Sequence, residues 1–288
     1  MYPTMLSTKA TTEKQRGTPL SHTHDHTFDT RSNVDDDPSR PTLLLYPTGV
    51  YFEPFNPNPE HLDIRCIAHG LAGTNRYNGH TKSLVNTADH SVIVSLRAEV
   101  LRGPLSAHEL LAKDAREGRA VVGDLRDAGV TAFGYGTALR RLKLPFSALM
   151  HDAPEAVSGF GDVTGPVKNH PSFKALLVAH EDRIADAVAV KHNLPKNFQH
   201  DPVVKEADAW AFHWENRDLR GIDSPEGVVL PKEKLQPLSH HQARNAFLFR
   251  YMDLTGEAVE WPEDWTPGGF DNHLASWCSY LTTMCAVV

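Results

Sequence analysis

An imidazole and a carboxylate stand side by side at His151-Asp152, directly after the apolar run Leu144-Pro-Phe-Ser-Ala-Leu-Met150, and Glu155 follows three residues later. Core packing does not account for such a pair, because a buried ionised carboxylate costs several kcal/mol unless something positive accompanies it. A divalent metal is a natural partner, since imidazole nitrogen and carboxylate oxygen both ligate it well. Two further candidate ligands flank the pair along the chain: His90 in Asn86-Thr-Ala-Asp-His-Ser91, and Asp208 in Val203-Val-Lys-Glu-Ala-Asp208. His90, His151, Asp152 and Asp208 would supply two nitrogens and two oxygens and leave positions open for water and substrate. That mixed set suits Mn²⁺, Co²⁺, Fe²⁺, Ni²⁺ or Zn²⁺ without choosing among them. A metal so held lowers the pKa of a bound water toward about 7 and withdraws charge from a phosphoryl oxygen. Glu155, three residues past Asp152 on the expected helical face, is the candidate acid–base group.

These residues need a scaffold that brings distant stretches together, and the chain reads as mostly helical. A helix from about Asp63 places Ile64, Ile67, Ala68 and Leu71 on one face. A second begins at Asn86 or Thr87, both good N-caps, and carries Val92, Ile93, Leu96 and Val100. The His151-Asp152 helix is expected from about Pro145 to Ala156, with proline at an early helical position. Further helices are expected over Ser172 to about His192, over Val203 to Leu219 with Asp208, and over about His241 to Leu254. Ahead of them, Leu43-Leu-Leu-Tyr46 and Val50-Tyr-Phe52 flank Pro47-Thr-Gly49 and predict a small β-hairpin. The expected fold class is therefore all-α, a helical bundle with a small N-terminal hairpin.

The order His, His-Asp, distant Asp resembles the HD-domain metal-dependent phosphohydrolases. Asp63-Ile-Arg-Cys-Ile-Ala-His-Gly-Leu-Ala72, followed by Asn75-Arg-Tyr-Asn-Gly-His80, is similar to the opening helix of their 5′-deoxynucleotidase and phage deoxynucleoside-triphosphate triphosphohydrolase branch. Ala88-Asp-His-Ser91 resembles that branch's first metal-histidine motif. His151-Asp-Ala-Pro-Glu155 with Gly161-Asp-Val-Thr-Gly-Pro-Val-Lys168 resembles its second motif and following loop. The likeness covers roughly residues 43–220. It implies metal-dependent hydrolysis of a deoxynucleotide, from which a monophosphate loses phosphate or a triphosphate loses tripolyphosphate. It also implies a catalytic role for Asp162 beside Glu155. Arg76 and Lys168 are the cations nearest the motifs and are candidates to grip phosphate. Arg76 is expected off the apolar face of its helix. Tyr77, where the family offers a planar residue, is a candidate for base or sugar, and His80 for a phosphate oxygen.

Two rival functions remain at this level. HD proteins with extra histidines between His-Asp and the final Asp hold two metals and cleave cyclic nucleotides, and His180 falls in that interval. It reads better as a surface histidine. A nucleotide-binding sensor that keeps the fold without turnover is the other rival, and the presence of Glu155 with all four candidate ligands weighs against it. Gly159-Phe-Gly-Asp-Val-Thr-Gly165 is not a phosphate-binding glycine loop, because it lacks the Lys-Ser/Thr ending and a preceding strand.

Composition sets the outer limits. Forty per cent hydrophobic and 23 per cent charged residues suit a globular chain. A net charge of −7 argues against broad nucleic-acid binding and leaves a small-molecule deoxynucleotide as the expected partner. Cys66, Cys278 and Cys285 are too scattered for a disulfide framework or a zinc–cysteine site, which favours the cytoplasm. No membrane span or signal peptide is expected. Residues 1–41, with alternating His22, His24 and His26, read as a disordered tail, and 42–254 as the phosphohydrolase domain. Residues 102–143 interrupt the likeness and read as a tolerated surface insertion, with a lid or oligomer contact as the alternative. Residues 255–288, with Trp261, Trp265 and Trp277, are expected to form an arm packed on the core or on a second subunit of a homo-oligomer.

Overall fold

Strands β1 (Leu43–Leu45) and β2 (Val50–Phe52) pair antiparallel, Leu43 opposite Phe52 and Leu45 opposite Val50, around a turn in which Gly49 takes φ +69. They open a mostly helical chain. The computed structural model describes residues 42–120, 124, 127–262, 265 and 281–286. The expectations for residues 1–41, including His22, His24 and His26, and those for Trp277 and Cys278 lie outside the described residues.

Helix α1 (Ile64–Gly73) starts where the Asp63 carboxylate accepts the Arg65 backbone N–H at 2.8 Å and pairs with its guanidinium. Its apolar face of Ile64, Ile67, Ala68 and Leu71 is buried. Helix α2 (Thr87–Arg102) runs through the centre, packed against α1 and three helices that follow it. It is buried from Thr87 to Ser95, so its polar side chains find internal partners. Ser95 donates to the Pro145 carbonyl at 2.8 Å, and Asp89 accepts the Leu238 N–H at 2.7 Å. Asn86 caps the helix by accepting the Asp89 N–H at 2.9 Å.

Helix α3 (Ala107–Arg116) begins in a capping box between Ser106 and Glu109 and packs on α4 (Ala132–Leu149). The segment 102–143 is thus partly continuous with α4, and its apolar contacts centre on Ala112 and Ala138. The segment 129–136, with Gly129, Gly134 and Gly136, contains the start of α4, with Thr131 accepting the Gly134 N–H at 3.0 Å.

The expected helix from Pro145 to Ala156 does not form as one piece. Helix α4 ends at Leu149, a turn carries Met150, His151 and Asp152, and α5 (Ala153–Val157) begins anew. Pro145 lies deep within α4 rather than at a helix start. The break belongs to Pro154, which lacks the N–H a continuous helix would need and sits without cost in a first turn. Gly70 lets α5 lie against α1: a Cβ there would come within 2.7 Å of the Ala156 carbonyl oxygen and 2.9 Å of its Cβ.

The short α6 (Gly165–Lys168) and long α7 (Pro171–Lys191) lead to α8 (Pro202–Glu215), which carries Asp208. Helix α8 ends four residues earlier than its pattern predicts and passes into a π-turn, Asn216–Arg220. Helix α9 (His240–Thr255) packs on α1, α2 and α4. Beyond it, Trp265 is buried, stacked 5.8 Å from His69 and covered by the Arg244 guanidinium at 3.9 Å. Leu281 and Cys285 are buried too, and Arg97 donates to the Cys285 carbonyl at 2.8 Å. Among the described residues no helix is long and apolar enough to cross a membrane.

Candidate metal centre

The two candidate histidines arrive from different elements with the same orientation. His90, on the first turn of α2, has no exposed surface, and its Nδ1 lies 2.8 Å from Glu215 Oε1. His151, in the α4–α5 turn, has Nδ1 2.8 Å from the Ala148 carbonyl. Both partners only accept, so both Nδ1 atoms carry the proton. That arrangement leaves each Nε2 for the space between the rings, whose centroids lie 5.4 Å apart. His151 Nε2 is buried without a hydrogen-bond partner, an orphan that a cation would satisfy.

Two carboxylates close on the same space. Asp208 Oδ1 is 3.1 Å from His90 Nε2 and 3.9 Å from His151 Nε2. Asp152 Oδ2 is 3.2 Å from His151 Nε2 and 3.8 Å from His90 Nε2. His90, His151 and Asp208 form a group able to hold a metal ion, with their ligating atoms within 4.8 Å of one another. The donor set of imidazole nitrogen and carboxylate oxygen, each imidazole turned by a hydrogen bond on its far nitrogen, fits a divalent transition metal.

Charge in the site is strongly coupled. Burial and Arg76 both oppose a proton on His90, but Glu215 and Asp208 outweigh them and lift its pKa to about 9. Burial pushes Asp152 up, yet His151, His90 and Arg76 hold it well below the usual carboxylate range. Asp208 is likewise held low against its burial by His90 and His151. Glu155 goes the other way. Burial, then the negative charge of Asp152 and Asp162, raises it well above its ordinary value, only partly countered by Lys168 and Arg76. Two carboxylates three residues apart are thus driven to opposite protonation states, the pattern of an acid beside a ligand. Glu155 Oε2 is buried without a hydrogen-bond partner.

A cleft opens beside this centre. His151, Asp152 and Glu155 form one wall, and Lys168, Glu181, Gln199 and Lys205 stand among the residues around it. Lys168 Nζ lies 3.0 Å from Glu181 and 3.8 Å from Glu155. Lys205, absent from the sequence reading, lies 3.8 Å from Asp208 and is half exposed.

The remaining expected site residues are placed differently. Arg76 does not project off its helix into solvent. It is buried, with Nε donating to Glu215 Oε2 at 3.0 Å and a second nitrogen 3.7 Å from Asp152. Tyr77 donates from its hydroxyl to the same Glu215 oxygen at 2.6 Å, and the Arg220 guanidinium lies 4.7 Å from its ring centroid. Its backbone, at φ +57, donates to Asp162 at 3.2 Å, so Asp162 braces this turn. His80 is exposed at the end of the turn and does not line the cleft. His180 is buried, not on the surface: Nε2 donates to the Ser158 carbonyl at 3.1 Å and the ring packs between Phe55 and Phe160. His170 caps α7, and His192 donates to the Leu62 carbonyl at 3.1 Å.

Glu215 is the residue that sequence reasoning misses. It has no exposed surface, and its charge is kept against burial by Arg76, His90 and Tyr77, at a pKa of about 2. Its spacing of seven from Asp208 puts both on one face of α8, a signal present in the chain.

No family model matches the chain. It is similar to an uncharacterized protein of Rhodobacter capsulatus, 29% identical over 184 residues that make up 62% of this chain and 74% of that protein.

Proposed function

We propose that this chain is a metal-dependent phosphohydrolase of the HD-domain type acting on a deoxynucleotide. The observation that carries the reading is the convergence of His90 Nε2, His151 Nε2, Asp208 and Asp152 beside a cleft lined by His151, Asp152 and Glu155, the last a carboxyl driven toward its neutral form. His90, His151, Asp152 and Asp208 would hold the ion. A divalent ion there supplies Lewis acidity toward a phosphoryl oxygen and acidifies water.

The chain's own groups supply the rest. Lys168 and Lys205 give the cleft positive charge suited to phosphate oxygens. Glu155, neutral and at the cleft wall, is placed to deliver a proton to the departing oxygen and then to serve as a base. Asp162 acts through the Tyr77 turn rather than on the reacting atoms, since its carboxylate holds the Tyr77 N–H. The mononuclear reading draws support from His180, whose Nε2 is already used by a backbone carbonyl.

Purified full-length chain incubated with Mn²⁺ or Co²⁺ and a panel of deoxynucleoside mono-, di- and triphosphates, ribonucleotides and cyclic nucleotides tests this. Release of phosphate or tripolyphosphate from a deoxynucleotide is expected. Turnover confined to cyclic nucleotides, or metal-bound protein that binds nucleotides without turnover, refutes it.

A further inference from the structure

One buried carboxylate touches both halves of the site. Glu215 Oε1 accepts from His90 Nδ1 at 2.8 Å, while Oε2 accepts from Arg76 Nε at 3.0 Å and from the Tyr77 hydroxyl at 2.6 Å. It lies where α8 passes into the π-turn, a change of pitch that alters the direction of side chains at that point. Arg76 and Tyr77 lie outside the helix that carries His90, and Glu215 reaches all three from 125 or more residues away in the chain. The Arg76–Tyr77 turn is also unusual in its backbone, with Tyr77 at φ +57 and Asn78 at φ +50, a conformation that something outside the turn must hold.

We propose that Glu215 is a positioning residue that couples the metal ligand His90 to the Arg76–Tyr77 turn. This deepens the proposed function and rests on its metal site. As a carboxylate Glu215 only accepts, so it keeps the proton on His90 Nδ1 and presents the Nε2 lone pair to the ion. An amide in its place can turn its NH₂ toward Nδ1. The proton then moves to Nε2, where it blocks coordination. Through the other oxygen, the orientation of the Tyr77 phenol and the Arg76 guanidinium is set by the same carboxylate, so a change at Tyr77 reaches the metal without any contact to it.

The test is a metal titration of the full chain with Zn²⁺, monitored by calorimetry, well below the melting temperature of each variant. Glu215→Gln, which keeps shape and loses the purely accepting character, is expected to weaken Zn²⁺ binding about 10- to 100-fold. Tyr77→Phe, which leaves the Arg76–Glu215 pair intact, is expected to weaken it by less than about tenfold. Combined with Glu215→Gln, Tyr77→Phe should add nothing, because its effect passes through Glu215. A role limited to packing would lower the melting temperature and leave the Zn²⁺ titration alone. Parent-like Zn²⁺ binding in Glu215→Gln overturns the positioning role while the metal site stands. Additive effects of the two changes overturn the coupling. A parent chain that binds no Zn²⁺ overturns the metal reading and this inference together.

Discussion

Replacing Glu155 by Gln should lower the rate and raise the stability, two opposite effects with one cause. The carboxyl is 7% exposed, its Oε2 has no hydrogen-bond partner, and Asp152 and Asp162 add to the burial that keeps it neutral. In the unfolded chain the same group ionises near 4.5. Between 4.5 and the raised folded value, the folded state therefore holds a proton that the unfolded state has released. Stability is present in full below 4.5 and is lost as pH rises through that window. Each pH unit in the window costs about 1.4 kcal/mol, and the interval from 4.5 to pH 7 bounds the loss at about 3–4 kcal/mol. Gln cannot ionise and escapes this loss. In EDTA-treated protein Glu155→Gln should melt close to the parent at pH 4.5 and progressively above it toward pH 7, at about 2–4 °C per kcal/mol.

The rate moves the other way. Without a proton to give, the variant should keep its metal and substrate but turn over about 10²–10⁴-fold more slowly. Thermal melts across pH, metal analysis and single-turnover kinetics with Mn²⁺ check the three expectations. A melting difference independent of pH would refute the claim that burial holds Glu155 neutral. A variant that loses metal and regains full rate on reconstitution would make Glu155 a ligand and remove it from the acid–base role.

Asp208→Ala should abolish turnover and lower metal content with the helical fold retained, since Asp208 is half-buried rather than part of the core; full occupancy with full activity would remove it from the site. Zn²⁺ binding near pH 7 should release close to one proton, because His90 with its pKa near 9 must lose one before Nε2 can ligate, and affinity should rise from pH 7 to 9; calorimetry in buffers of different ionisation enthalpy reads this directly. Arg76→Ala should destabilise the fold by about 3–5 kcal/mol by leaving Glu215 buried without its cation, and urea denaturation that matches the parent would refute that. Gly70→Ala should cost about 1–3 kcal/mol and push α5 away from α1, visible as a lower melting temperature.

The helix faces were legible because Ile64, Ile67, Ala68 and Leu71 recur at helical spacing, and His90, His151, Asp152 and Asp208 were noticeable as polar residues in stretches otherwise built for burial. The break after Leu149 was legible in Pro154 but was masked by Pro145, which sits within α4 although proline favours a first turn. Arg76 was misread because its burial depends on Glu215, 139 residues away, and no local pattern carries that pairing. Glu215 itself lies in Glu215-Asn-Arg-Asp218, which reads as a solvated helix end. His180 gives the same lesson: its spacing suited a ligand or a surface residue, and Phe55 and Phe160 together with the Ser158 carbonyl made it part of the core.

These distant partners also fix what the site can tolerate. Asp152, Asp208, Glu215 and Glu155 crowd around two imidazoles and one guanidinium, more negative charge than Arg76 alone can balance. In metal-free protein two protons offset part of that excess, one on His90, drawn there by Glu215 and Asp208, and one on Glu155, kept there by burial and Asp152. A divalent cation at the four ligands would displace the first proton and relieve part of the negative field that holds the second. Metal binding should then bring the Glu155 carboxyl back toward the pH at which an acid–base group works well. The proton count on Zn²⁺ binding separates the two sites: Glu155→Gln should leave the proton released by His90 in place, whereas Asp208→Ala, which removes part of the pull on His90, should diminish it.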